Sequence, residues 1–331
     1  MIQREDIMTH ITRGILAAAT ASAALFAGAA LAQERTLQLG HLANEDNTWH
    51  QAALRFGEEL SALTDGRIAV EVYPNESLGA EMDLINGMQL GTADMTITGE
   101  SLQNWAPMAS LLALPYAYDS LEEMDAVASG EIGNRIEQQI IETAQIRPIA
   151  YFARGPRNLT SNRPVTTPEE LDGLTLRVPN VPLFVNTWQA LGASPTPMAF
   201  SEVFTSLQNN TIDAQENPLA LIASANFNEV QDYVNLTEHV RSWIYLTISE
   251  QTWSQLSEED QEAVMEAARR AQAYERELFL EEEEALATEL QERGMEFVEV
   301  DQAAFAEAAQ PAVLDSVDPS VRDIAEQLFA N

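Results

Sequence analysis

The sequence predicts an α/β protein of two lobes, and three observations carry that reading. Residues 36–98 alternate strand, helix, strand, helix, strand, the opening of a parallel, doubly wound sheet. A second strand–helix alternation begins after the arginines at 154–163. Finally, Ser257 to Gly294 is helical in pattern without an internal Gly or Pro, about 36 residues or roughly 54 Å at 1.5 Å per residue. A helix of that length exceeds what one small domain covers, so it should span both lobes. At 331 residues the chain can bury two sizeable cores.

Residues 1–32 stand apart. Arg4 and Arg13 flank a polar start, and Ile15–Ala32 is an apolar, alanine-rich run ending Ala30-Leu31-Ala32. This is the pattern of a secretory signal peptide cleaved after Ala32, and it implies a periplasmic product. The run lacks cysteine, which excludes a lipid anchor there.

The first strand is read over Thr36–Leu42, from its alternation. Asn47 or Thr48 caps a helix reaching about Leu63. Asp65-Gly66 turns the chain into a second strand, Ile68–Tyr73, stopped by Pro74. Gly79 opens a loop before a helix with Met82, Leu84, Ile85 and Met88 on one face. Gly91 ends it, and Ala93–Thr98 is the third strand. Leu121–Thr143 reads as one or two helices, and Ile146–Ala153 as a strand, with a crossing between lobes near Arg154–Gly155. Thr167-Pro168-Glu169-Glu170 is a helix start, with proline at the first position and acids on the positive end. A strand follows over Leu174–Val178. Helices are expected over Leu183–Leu191, Val203–Asn209 and Leu219–Val230, and strands over Tyr233–Thr237 and Trp243–Ile248. Ser257 caps the long helix; Phe297–Val300 and Pro319–Phe329 close the chain as strand and helix.

Composition narrows the function. Net charge is −35, every one of the 17 basic residues is arginine, and there is no cysteine. Nucleic acid is excluded as a partner, since phosphate contact needs a basic face. Thiolate chemistry and disulfides are excluded as well. The acidic, lysine-free surface reads as adaptation to a salty medium, where self-repulsion is screened. GxSxG, GxGxxG, P-loop and HExxH patterns are missing, and His41, His50 and His239 have no metal-like spacing. No cofactor or metal is expected, and the reading is of a binding protein, not an enzyme. Within this acidic chain Arg154, Arg157, Arg163 and Arg177 cluster, which marks an anion site unless some pair with Glu169, Glu170 or Asp172. Arg177 sits at a strand's C-terminal end, where open α/β sheets bind ligands, and its planar fork suits a carboxylate. Glu100 follows the third strand at the equivalent place.

Three stretches resemble one family: 176–180 (LRVPN), 192–204 (GASPTPMAFSEVF) and 213–218 (DAQENP). So do 73–79 (YPNESLG), 113–116 (ALPY) and 157–163 (RNLTSNR). They are similar to the solute-binding proteins of TRAP transporters, the DctP family, and nearest in motif to its sialic-acid-binding branch. The resemblance implies a two-lobed periplasmic-binding-protein (Venus-flytrap) fold with crossing strands and one long helix across both lobes. Lobe I would comprise 33–154 plus 243–282, and lobe II 155–242 plus 283–331. It implies a monomer that closes on an organic acid and delivers it to a small and a large integral membrane subunit. Arg177 would salt-bridge the ligand carboxylate, Arg157 and Asn217 would support it, and Phe200 would pack on the ligand. Asn180 and Glu216 would steady the arginines. Sialic-acid binders carry Asn, Asp and Arg where this chain has Leu42, Glu81 and Gln103, whereas Glu100 is retained. The carboxylate end is therefore kept and the distal end changed, with Glu81, Glu100 and Gln103 facing ligand hydroxyls. A hexuronate such as glucuronate or galacturonate is the expected ligand. The alternatives are sialic acid, another small hydroxy or keto acid, or a periplasmic ligand sensor with the same site.

Overall fold

The structure, a computed structural model, describes residues 35–330; the expected signal peptide lies outside the described residues. Eleven strands are described: β1 (Arg35–Gly40), β2 (Ile68–Tyr73), β3 (Met95–Thr98), β4 (Ile146–Phe152), β5 (Arg157–Ser161), β6 (Thr175–Val178), β7 (Ser194–Pro197), β8 (Ala214–Pro218), β9 (Tyr233–Val240), β10 (Ile244–Ser249) and β11 (Glu296–Val298). They form two sheets, ordered β2-β1-β3-β10-β4 and β11-β9-β5-β8-β6-β7.

The first three strands pair in parallel, as the βαβαβ pattern requires. The sheet is nonetheless mixed, because β10 runs antiparallel to both β3 and β4. Strand β10 enters this sheet from β9 of the other one, across only Arg241, Ser242 and Trp243. The outward passage is equally short: β4 ends at Phe152 in the first sheet and β5 begins at Arg157 in the second.

Helices α1 (Thr48–Leu63), α2 (Glu81–Leu90), α3 (Leu121–Ala128) and α4 (Glu131–Gln139) accompany the first sheet. Of the one or two helices expected over 121–143 the structure forms two, followed by a π turn. In α1 the Asn47 side chain accepts from the Trp49 N–H, the cap expected of it. Gly91 ends α2 at φ +73, a left-handed conformation that glycine adopts without steric cost. In the second half lie α5 (Pro182–Ala190), α6 (Val203–Gln208) and α7 (Leu219–Ser224). The helix expected over 219–230 stops early because Asn226 turns left-handed, at φ +55. The start at Thr167-Pro168 yields only a single 3₁₀ turn. The chain ends through α8 (Glu250–Ser254), α9 (Glu258–Glu292), α10 (Gln302–Ser316) and α11 (Arg322–Leu328).

Helix α9 is the expected long element, 35 residues capped by Ser257, whose side chain accepts from the Asp260 N–H. Glu258, Glu259 and Asp260 place negative charge on its positive end. Val264, Ala267, Ala268 and Ala271 recur at helical spacing and pack with Ala52, Phe56 and Leu246 of the first half. Further along, Leu286 and Leu290 join Val203, Ile222 and Val234 of the second. A third core, with Leu112, Trp243, Leu159, Leu176 and Trp188, runs continuously between the sheets. One helix thus contributes to a core on either side of a cleft.

Candidate functional site

Nineteen residues drawn from both halves line one cavity. Strand β6 delivers Arg177 to it. Pro179 ends that strand, and the buried guanidinium donates from Nε and Nη2 to the Met198 carbonyl at 3.1 and 2.8 Å. The Phe200 ring lies beneath it, 5.9 Å from centroid to Cζ. Among the described residues no carboxylate comes within ion-pairing distance of Arg177. Burial pushes its pKa down to about 10, with the more distant Glu216 charge opposing and the Arg157 charge adding. A buried guanidinium without a counter-ion is unfavourable unless an anion arrives.

Arg157 is differently placed. Strands β5 and β8 pair with Arg157 opposite Pro218 and Leu159 opposite Glu216, which sets Arg157 and Glu216 diagonally on one face. Nη2 of Arg157 donates to Glu216 Oε1 at 2.7 Å and to the Glu216 carbonyl at 2.8 Å. Its Nη1 reaches Glu100 Oε1 at 3.3 Å, and its Cζ stands 5.4 Å from the Phe184 ring. Arg154 completes the chain of charges: it is paired with Glu100, and its Nε donates to Ser242 Oγ at 2.8 Å. Burial favours the neutral form of Glu216, yet Arg157 and the His239 bond hold its pKa down at about 2. Glu100 is likewise kept low against burial by Arg154 and Arg157. Burial lowers the pKa of His239, so the neutral ring donates from Nε2 to Glu216 at 2.9 Å and accepts from Thr237 at Nδ1.

Of the two residues expected to steady the arginines, Glu216 holds Arg157, and His239 as well, but among the described residues makes no ion pair with Arg177. Asn180 lines the cavity, but its side chain bonds neither arginine among the described residues; its carbonyl accepts from Asn104 Nδ2 at 3.0 Å.

Of the expected ligand contacts, Arg177, Arg157, Asn217, Phe200, Glu100 and Glu81 all line the cavity. Asn217 is oriented by its own Nδ2, which donates to Gln215 Oε1 at 2.6 Å. Glu81 opens α2 and accepts from Thr98 Oγ1 at 2.6 Å and Ser101 Oγ at 2.9 Å. Its pKa is raised, by burial first and by the Glu100 charge as well. Gln103 is not brought to the cavity: its amide folds back onto the Glu100 carbonyl, 3.0 Å away, within a 3₁₀ turn. Arg163 is also elsewhere, donating to the Glu170 carbonyl at the surface. Sequence reasoning did not single out Trp49, Glu76, Met198 or, beyond its place in the arginine cluster, Arg154; all four line the cavity.

Among the described residues, hydrogen bonds that join the halves across the cleft include Asn44 Nδ2 to the Ser224 carbonyl (2.6 Å), Ser201 N–H to Glu76 Oε2 (3.0 Å), and the Asn104–Asn180 and Arg157–Glu100 bonds above. The halves are therefore closed on the cavity. An anion anchor, an aromatic wall and a ring of carboxylate acceptors suit a small polyhydroxy acid.

Two sheets exchanging strands around a closed cleft, spanned by a common helix, define a two-lobed solute-binding protein. Comparison with known proteins makes the class specific. The chain belongs to the bacterial extracellular solute-binding protein family 7, DctP, whose model matches residues 39–318; these are the solute-binding proteins of TRAP transporters. A solute-binding protein of Roseobacter denitrificans is 73% identical over 315 residues, 95% of this chain and 97% of that one. The 2,3-diketo-L-gulonate-binding periplasmic protein of Escherichia coli is 32% identical, over 94% and 95% of the two chains. Among solved structures, a TRAP periplasmic solute-binding protein from Roseobacter denitrificans with bound L-galactonate superposes at TM-score 0.89 with 74% identity, covering 90% of this chain and 99% of that one. One from Xanthobacter autotrophicus with bound β-D-galacturonate gives 0.85 at 28% identity, covering 89% and 99%.

Proposed function

We propose that this chain captures a six-carbon sugar acid, with L-galactonate and the hexuronates as first candidates, for uptake by a TRAP transporter. The observation that carries the reading is Arg177, a buried guanidinium in a closed cavity with no carboxylate partner among the described residues. A ligand carboxylate supplies the missing charge as a forked, charge-assisted pair, strengthened as closure expels water. Asn217 donates beside it and Phe200 covers it. Glu81 and Glu100 accept from the ligand hydroxyls. The sugar acids bound by the relatives, a hexonate and a hexuronate, support this class.

The ligand enters between the lobes, 33–154 plus 243–282 and 155–242 plus 283–331, and contacts in both shift the population toward the closed form. The chain works as an exported monomer freed of its leader after Ala32. It passes the acid unchanged to the small and large membrane subunits.

A thermal-shift screen of the mature protein in high salt tests the proposal. The panel contains L-galactonate, hexuronates, sialic acid, dicarboxylates and neutral sugars, with Arg177→Ala in parallel. A ligand at a hundred times its dissociation constant adds about 2.7 kcal/mol. A shift with a six-carbon sugar acid, lost in the variant, is expected. Shifts confined to neutral sugars, or surviving the substitution, would overturn it.

A further inference from the structure

The loop between β2 and α2 holds an acid that the carboxylate site does not use. Asn75 and Glu76 adopt consecutive left-handed conformations, at φ 58 and 54. Neither is glycine, so the backbone is strained there, and strain of this kind persists only where surrounding bonds impose it. They are present. Asn75 N–H donates to the Ala43 carbonyl at 2.9 Å, and Glu76 N–H to the His41 carbonyl at 3.0 Å. Gly79 N–H closes the loop on the Glu76 carbonyl at 2.9 Å. The loop is thereby pinned to the end of β1, and the Glu76 side chain is turned toward the cleft.

There Glu76 has two faces. Its Oε2 accepts from the Ser201 N–H of the opposite half at 3.0 Å. Its Oε1 has no hydrogen-bond partner among the described residues, and the residue lines the cavity. Ser201 directly follows Phe200, whose ring lies over Arg177 and meets Phe227 edge-on at 5.8 Å. The bond forms only when the halves are together, and it fixes the segment that carries the aromatic wall.

We infer that Glu76 is a positioning residue for ligand retention: its carboxylate latches the closed cleft through Ser201, holding Phe200 over the cavity while offering its other oxygen to a ligand hydroxyl. This rests on the sugar-acid reading of the cavity. Because the latch acts after closure, its loss speeds release and leaves capture nearly unchanged.

The absence of cysteine makes the test direct. Spin labels at Leu90→Cys and Gln208→Cys, both exposed and on opposite halves, report closure by their distance distribution. Fluorescence of Trp49, in the cavity wall, reports release of L-galactonate in stopped flow. In Glu76→Ala the closed fraction is expected to fall, with and without ligand, and the release rate to rise about tenfold, as for loss of one charge-assisted bond. Glu76→Gln, which keeps an acceptor oxygen for Ser201, is expected to restore most of the retention; a purely electrostatic role of Glu76 would not be rescued. An unchanged closed fraction and release rate in Glu76→Ala, with the parent binding L-galactonate normally, overturns the latch and leaves the carboxylate site standing. A parent that binds no sugar acid, while Glu76→Ala still lowers the closed fraction, overturns the sugar-acid reading and supports the latch.

Discussion

Glu216 holds Arg157 and leaves Arg177 free: Nη2 of Arg157 donates to Glu216 Oε1 at 2.7 Å, and no carboxylate pairs with Arg177 among the described residues. Two arginines of one cavity thus have different tasks. Arg157 is a neutralised strut within the chain Arg154–Glu100–Arg157–Glu216. On the function proposed above, Arg177 carries the charge that a ligand answers.

Replacing Arg177 by Ala should weaken sugar-acid binding on the order of a hundredfold or more, the scale expected of a desolvated forked pair. Arg177→Lys should rescue little, because a point charge does not reproduce the fork. The ligand-free protein should keep or gain thermal stability, since a buried, unpaired charge is removed. Calorimetric titration and thermal melts check both parts. Full affinity in the alanine variant would remove Arg177 from the site.

Glu216→Gln should behave in the opposite way. It takes the carboxylate charge away from the buried Arg157 and leaves it the residue-216 carbonyl and the longer Glu100 contact; breaking such a charge pair costs about 3–5 kcal/mol. The pH dependence has a definite sign. Glu216 has a depressed folded pKa of about 2 against an ordinary 4.5, so its contribution is complete above 4.5 and disappears as pH falls toward 2. The stability gap between parent and variant, from urea unfolding, should therefore narrow across that window and stay constant above it.

The parts of this arrangement that were legible in the sequence are those that follow hydrophobic periodicity. The alternation around Arg177, the βαβαβ opening and the capped run of α9 are examples. Strands β5 and β8 were not legible, although they carry Arg157, Glu216 and Asn217. Asn158, Thr160, Ser161 and Gln215 are buried on them as a polar network, so no apolar alternation marks them. Glu76 was hidden because its direction comes from a left-handed backbone imposed by β1. Gln103 misled because a 3₁₀ turn stacks positions three apart, and its amide is spent on the Glu100 carbonyl.

Gln103 and Glu81 should accordingly part company on mutation. Gln103→Ala should leave affinity within about twofold, as a surface substitution away from the ligand. Glu81→Gln keeps one acceptor oxygen and puts an amide donor in place of the other, where Thr98 and Ser101 now donate. It should change the ranking among hexonates and hexuronates while sparing carboxylate recognition. A ranking altered by Gln103→Ala and untouched by Glu81→Gln, in competition titrations, would reverse these assignments.

The last prediction concerns Glu275, buried in α9 where the chain crosses between sheets. Its Oε2 accepts from the Ala153 N–H at 3.0 Å, and its Oε1 is buried without a partner. Its neighbour Arg276 is engaged by Asp125 at 2.6 Å. Burial pushes the Glu275 pKa up to about 8, the Ala153 bond and Arg276 opposing, and Asp125 and Glu282 adding. Between the ordinary value of 4.5 and about 8 the folded protein binds this proton and the unfolded chain does not. Stability then falls as pH rises through that window, because ionising the buried acid opposes the fold. Glu275→Gln keeps an acceptor for Ala153 and has nothing to ionise. Parent and variant should be closest in stability near pH 4.5. The variant should lead progressively as pH rises, by on the order of a few kcal/mol above pH 8. Urea unfolding at pH 5, 7 and 8.5 reads this directly. A parent–variant gap independent of pH would mean that Glu275 is already ionised, its charge met by water reaching the crossing.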